Sequence, residues 1–116
     1  MNHAEVQIGP RMTLPTRLVL RAMLRDSTRE MTGLDIAAEA GLPNGTVHPV
    51  LARLEKVGWL VSEWEDLDPE VRGRPRRRHY RLAPDSVAAV LSALVRVEQS
   101  AVGVNRLLPD FAGGAR

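Results

Sequence analysis

A mainly helical α+β domain with a single β-hairpin is what this sequence predicts, and three observations carry the prediction. The 116 residues are 44% hydrophobic but include only one Phe, one Tyr and two Trp, so Leu, Val and Ala must supply most of the core, which favours helices over sheet. Apolar residues recur at steps of three and four in three separate segments, the period of an amphipathic helix. Between Trp59 and Leu82 that period gives way to two short strand-like runs separated by Pro and Gly. A chain of this length has material for one core and too little for two.

Residues 1–12 have no apolar period and end near the Gly9-Pro10 breaker, which predicts a flexible N-terminal arm. The first helix is expected from Thr13 to Arg25, with Pro15 in its first turn and Leu14, Leu18, Ala22 and Met23 at helical spacing. Asp26 to Met31 reads as a polar connection. Thr32 and Asp35 then form a helix start, because a hydroxyl and a carboxylate three residues apart can satisfy free first-turn amides. That second helix is short, ending where Gly41 can take the left-handed conformation. Pro43 or Asn44 reopens a third helix, whose Val47, Val50, Leu51, Leu54 and Val57 share one face until Gly58. Two helices joined by a short glycine turn make a helix-turn-helix.

Trp59 to Glu65 and Arg78 to Leu82 are expected to pair as a two-stranded wing, with Asp66 to Arg77 as a long tip outside the sheet. The last helix runs from residue 84 to 108, followed by a tail over 109–116. Val87, Val90, Leu94, Val97, Ala101, Val104 and Leu108 alternate steps of three and four along it, a seam suited to a second copy of the chain. Residues 13–83 thus form a winged helix-turn-helix domain and 84–108 a dimerisation helix.

The distribution of charge says more than its sum of +2. Six arginines and no acid lie between Arg72 and Arg81, leaving ten of the sixteen basic residues to face all fourteen acids elsewhere. Concentrated guanidinium on a hairpin tip is how a protein meets a polyanion, since arginine offers planar N–H groups to phosphate and enters narrow minor grooves. Arg72, Arg74, Arg76, Arg77 and Arg78 are the expected wing contacts, and Gly73-Arg74-Pro75 resembles the minor-groove segment called an AT-hook. On the third helix, winding at 100° per residue puts Gly45, Pro49, Ala52 and Lys56 opposite the apolar face. Its start is small enough to approach another surface closely. Asn44, Gly45, Thr46 and His48 are therefore expected near base edges or phosphates, with Arg53 and Lys56 reaching phosphates. The bland alternative for His48 is a packing or capping residue.

The strings Leu34-Asp35-Ile36-Ala37, Leu42 to Pro49, Leu51-Ala52-Arg53-Leu54-Glu55, Gly58-Trp59-Leu60, and Gly73-Arg74-Pro75-Arg76 followed by Tyr80-Arg81-Leu82 resemble the PadR family of bacterial regulators. The resemblance covers roughly Leu14 to Leu94. It implies a winged-helix domain, a C-terminal dimerising helix and, in many members, repression relieved by a small aromatic or drug-like molecule. Gly45-Thr46-Val47-His48-Pro49 is its most specific piece, and it departs from the family at His48, where Tyr is usual.

Trp64 is a possible ligand contact, while Trp59 reads as a core anchor. The expected partners are double-stranded DNA, a second copy of the chain and a small aromatic ligand. The expected activity is transcription regulation by a homodimer, as a repressor. A competing reading takes the domain for a protein-interaction module whose basic wing holds an acidic partner. No catalytic constellation is visible, so an enzyme is not expected. The absence of Cys and the scatter of His3, His48 and His79 imply neither metal nor cofactor. No apolar run is long enough for a membrane span, and the expected location is the cytoplasm, at the nucleoid.

Overall fold

A computed structural model describes residues 9–107, with side chains described through residue 100. In chain order the elements are α1 (Leu14–Leu24), β1 (Met31–Thr32), α2 (Gly33–Ala40), α3 (Asn44–Lys56), β2 (Leu60–Trp64), a single-turn α4 (Pro69–Arg72), β3 (Arg78–Leu82), a 3-10 turn (Pro84–Ser86) and α5 (Val87–Leu107). The helices α1, α2 and α3 pack on one another, and a three-stranded antiparallel sheet of order β1-β3-β2 closes the open side. This is the winged helix-turn-helix fold.

Local chemistry sets most of the element ends. Thr13 caps α1 with its hydroxyl accepting from the Thr16 amide, and Pro15 occupies the first turn, where no amide is missed. Before α2, the Asp35 amide donates to Thr32 Oγ1 at 3.1 Å and the Thr32 amide donates to Asp35 Oδ2 at 3.2 Å, so two orphan donors are satisfied reciprocally. Gly41, at φ 72°, ends α2 in the left-handed region, and the Leu42 amide donates back to the Ala37 carbonyl. Gly58, at φ 85°, turns the chain out of α3 and into β2 in the same way.

The core is built from Val19, Leu20 and Met23 of α1, Ile36 of α2, Val47, Val50, Leu51 and Leu54 of α3, and Leu60, Tyr80 and Leu82 of the sheet. Each large aliphatic side chain so buried contributes about 1.5–3 kcal/mol. Three expected core positions lie outside it, one of them the half-buried Leu18. Leu14 is 56% exposed and Val57 is 41% exposed, because each sits at the end of its helix where the partner surface stops. The face of α1 that is buried turns on Val19 and Leu20 instead.

Three further departures matter for function. The stretch read as a polar connection ends in β1, where Met31 pairs with Tyr80 and Thr32 with His79. Two residues are too few to show alternation, so only the neighbouring strand reveals them. The segment expected to be a loose arm is attached over its last part: Met12 packs on the core, and Gly9 stands against the indole of Trp59, from which a Cβ there would be 3.4 Å away. Residues 1–8 lie outside the described part, as does the tail over 109–116.

The third departure concerns α5. Val90 and Leu94, expected on a seam toward a second chain, are buried in this chain's own core together with Ala93, and Val87 packs against them. An Arg21–Glu98 ion pair ties α1 to α5 farther along. The apolar stripe left facing outward is Leu91 and Val95, four residues apart and both 48% exposed. Val97 is half-buried. Ala101, Val104 and Leu108 lie beyond the described side chains.

Candidate nucleic-acid interface

The start of α3 is open and unencumbered. Pro43 precedes it in an extended conformation without a side-chain cap, and its carbonyl accepts from the Thr46 and Val47 amides. Asn44 is not consumed as a cap, then, and stands exposed at the first helical position beside exposed Gly45. Thr46 is half-buried, while Pro49, Ala52, Arg53 and Lys56 continue the exposed face. Pro49 lies inside the helix, one turn after Gly45, where its ring faces the Gly45 carbonyl and not the side-chain position, since a Cβ on Gly45 would meet nothing within 4 Å. Arg53 and Lys56 lie in the last turn, favourably placed for the helix dipole, and form no ion pair among the described residues. His48 sits close to α2: a Cβ on Gly33 would stand 3.2 Å from its Cε1. Its ring thus lies beside Gly33 at the start of α2 while the residue stays exposed to solvent.

The wing is a five-residue hairpin in register Leu60↔Leu82 to Trp64↔Arg78. Its charge is less one-sided than the run from Arg72 to Arg81 suggests, because Glu63, Glu65, Asp66, Asp68 and Glu70 precede that run and the hairpin folds the two against each other. Glu65 is the hub. Arg74 donates to its two carboxylate oxygens at 2.8 and 3.1 Å, the Arg77 amide donates at 3.0 Å, and His79 Nε2 lies 3.3 Å away. The Arg74 hydrogen bonds and then the Arg77 amide pull the Glu65 carboxyl down from its ordinary 4.5 to about 2.

Arg78 does a different job. It donates to Glu55 of α3 at 3.1 and 3.2 Å and to Ser62 at 2.8 Å, with its guanidinium carbon 5.4 Å from the Trp64 ring centre and 5.8 Å from that of Tyr80. This strut fixes the wing relative to α3. Arg76 donates from Nε to the Leu67 carbonyl at 2.9 Å and is otherwise exposed. The side chains of Arg72 and Arg77 are exposed and make no hydrogen bond or ion pair among the described residues. Of the five wing arginines expected to meet a polyanion, Arg74 and Arg78 are thus engaged internally, and Arg72, Arg76 and Arg77 are the ones the fold leaves available. The physical reason is range: Glu55 and Glu65 are 23 and nine residues from their partners, so only the folded hairpin brings them together.

The Glu65 hub has a pH consequence. A carboxylate whose folded value lies below its unfolded one stabilises the fold fully above the unfolded value and loses that contribution as pH falls through the folded one. The wing tip is therefore expected to loosen as pH drops from 4.5 to about 2, read by amide hydrogen exchange at Arg77, and Glu65→Gln should show the loosened tip already at neutral pH.

Fold and surface together define a winged helix-turn-helix domain with an open recognition helix and a partly neutralised basic wing. Residues 19–63 match the family model described as the IclR helix-turn-helix domain, a span from α1 into β2. Among solved structures, a PadR family transcriptional regulator from Eggerthella lenta is 23% identical, with 82% of this chain and 84% of that one covered at a TM-score of 0.63. A DNA-binding protein from Sulfolobus solfataricus is 15% identical, with 91% and 98% covered at 0.61. A PadR family regulator from Clostridium difficile is 18% identical, with 86% and 99% covered at 0.57. No curated protein matches the chain. These likenesses agree with the fold read from the sequence, and PadR family regulators are among the structures that share it.

Proposed function

We propose that the protein is a sequence-selective double-stranded DNA-binding transcription regulator acting as a homodimer, and that it represses by occupying promoter DNA. The observation that carries this reading is the coexistence, on one side of the fold, of a recognition helix whose first turn is exposed and small with a wing strutted to that same helix by Glu55–Arg78. In this arrangement α3 enters the major groove, with Asn44 and Thr46 nearest base edges, while Arg53 and Lys56 with Arg72, Arg76 and Arg77 of the wing meet phosphates. Leu91 and Val95 supply the apolar start of a two-fold contact along α5. Two recognition helices about 34 Å apart then read an inverted repeat.

Selection of bound duplexes from a random pool tests the whole reading at once. Enriched inverted repeats with a fixed spacing are the expected result, and a pool returned without enrichment would remove selectivity from the proposal. Asn44→Ala and Thr46→Ala are then expected to change sequence preference, each relaxing discrimination at one position by about 1–3 kcal/mol. Equal losses on all duplexes would make them phosphate contacts instead.

A further inference from the structure

Between the wing and the helix-turn-helix lies a cavity of about 340 Å³, lined by Gly33 of α2, His48 of α3, and Arg77, Arg78 and Tyr80 of the wing, among others. His48 is the only titratable side chain in the first two turns of α3. Its ring fits against α2 because Gly33 has no side chain; a Cβ there would stand 3.2 Å from His48 Cε1 and 3.9 Å from Nδ1.

The charges that share this space with the imidazole are guanidinium. Arg77 is exposed and its side chain is not engaged within the described residues, whereas Arg78 is held by Glu55. No carboxylate lines the cavity. On α2, Asp35 turns its carboxylate to the Thr32 amide. The strand β1 carries no charge, and Glu30 just before it lines a separate space with His79. Along α3 the next charged groups are Arg53, Glu55 and Lys56. Burial pushes the Tyr80 hydroxyl above its ordinary 10, so it stays neutral near neutral pH. His79 faces Glu65 at 3.3 Å, but His48 has no such anion among the described residues.

An imidazole changes charge between pH 5 and 8, and an opposite charge within about 4–6 Å favours the protonated form. In the free chain a proton on His48 meets only guanidinium across the cavity. A phosphodiester placed there would answer both the imidazolium and Arg77, and it keeps its single negative charge throughout this pH range. We infer that this cavity seats a duplex phosphate beside Arg77 and that His48 takes up a proton as the phosphate arrives, so that duplex affinity rises as pH falls. The inference rests on the DNA-binding reading and adds to it a contact and a proton. Because the bound state holds the proton more tightly than the free one, the gain is absent at high pH, grows as pH falls, and levels off once the free protein is itself protonated. A difference of one pH unit between the two states is about tenfold in affinity for each half-site.

Fluorescence anisotropy with a selected duplex at fixed salt, carried from about pH 8 to about pH 5.5, tests this. Affinity is expected to rise about tenfold per half-site over that range. Calorimetry of the same binding in two buffers of different ionisation enthalpy should register proton uptake. Glu65, at about 2, remains ionised across the range, so the wing-tip hub does not contribute. His48→Gln, uncharged at every pH, should flatten the response at an unchanged melting temperature. His48→Lys, charged at every pH, should be equally flat but bind more tightly than the glutamine variant. His79→Gln should keep the wild-type response. Duplex binding that ignores pH, or a response that survives His48→Gln, overturns the inference and leaves the regulator reading standing. Absence of duplex binding at both ends of the range would sink both.

Discussion

Replacing Gly45 by Glu is expected to abolish duplex binding while leaving the fold intact or slightly firmer. Gly45 is exposed in the first turn of α3, its φ is negative, and a Cβ built on it meets nothing within 4 Å. A side chain there therefore causes no strain. Leaving glycine behind in a helix gains up to about 1 kcal/mol, and an acidic group near a helix N-terminus adds about 0.3–1 kcal/mol. Facing a duplex, the same carboxylate stands where the backbone of α3 must come close to phosphates and base edges. Like charges brought together at an interface cost several kcal/mol, so affinity should fall on the order of a hundredfold or more. Fluorescence anisotropy with a selected duplex and a thermal melt of the free protein check both halves. Unchanged affinity would take the first turn of α3 out of the interface. Gly45→Ala, which adds one methyl and no charge, is the milder companion.

The second large effect belongs to the wing. Combined replacement of Arg72, Arg76 and Arg77 by Ala should weaken binding to every duplex alike and flatten the salt dependence of log K by about 0.9 per lost phosphate contact, or about 2.7 for all three. These arginines are exposed, and the one hydrogen bond among their side chains, from Arg76 to the Leu67 carbonyl, is at the surface, so the free protein should melt nearly as before. Arg74→Ala should behave differently. Its guanidinium holds Glu65, and removing it leaves that carboxylate with only the Arg77 amide and His79. The expected signature is faster amide exchange across the tip, with a salt slope changed less than by the triple replacement. If Arg74→Ala alone flattened the slope by a full contact and left tip exchange unchanged, the assignment of inner and outer arginines would be reversed.

The two variants sample opposite kinds of legibility. Gly45 could be singled out from the chain alone, because winding α3 at 100° per residue separates its apolar set from its small face with no other information. The division of labour among the arginines could not. Arg74 and Arg77 look alike in sequence, and so do Arg78 and Arg76; what separates them is which carboxylate the hairpin register delivers to each.

The same contrast runs through the fold. Thr32 with Asp35, Gly41, Gly58 and the strand pair Leu60–Trp64 and Arg78–Leu82 were readable because their interactions span a few residues or a simple alternation. A cap is a contact between residues three apart, and it carries its own signature. The strand Met31–Thr32, the burial of Val90 and Leu94 within their own chain, and the cavity between Gly33, His48 and Trp64 had no such signature. Periodicity reports that a helix has an apolar face, but it is silent on what covers that face. In α5 the first members of the stripe, Val87, Val90 and Leu94, cover the internal core, and Leu91 and Val95, off that stripe, are the apolar surface left outward among the described residues. The sequence by itself determined the helices, their ends, the hairpin and the small face of α3, because each follows from short-range geometry. Only the tertiary structure decided which arginines remain free, which apolar residues face outward and where a ligand-sized space opens, because those depend on residues that meet from far apart in the chain.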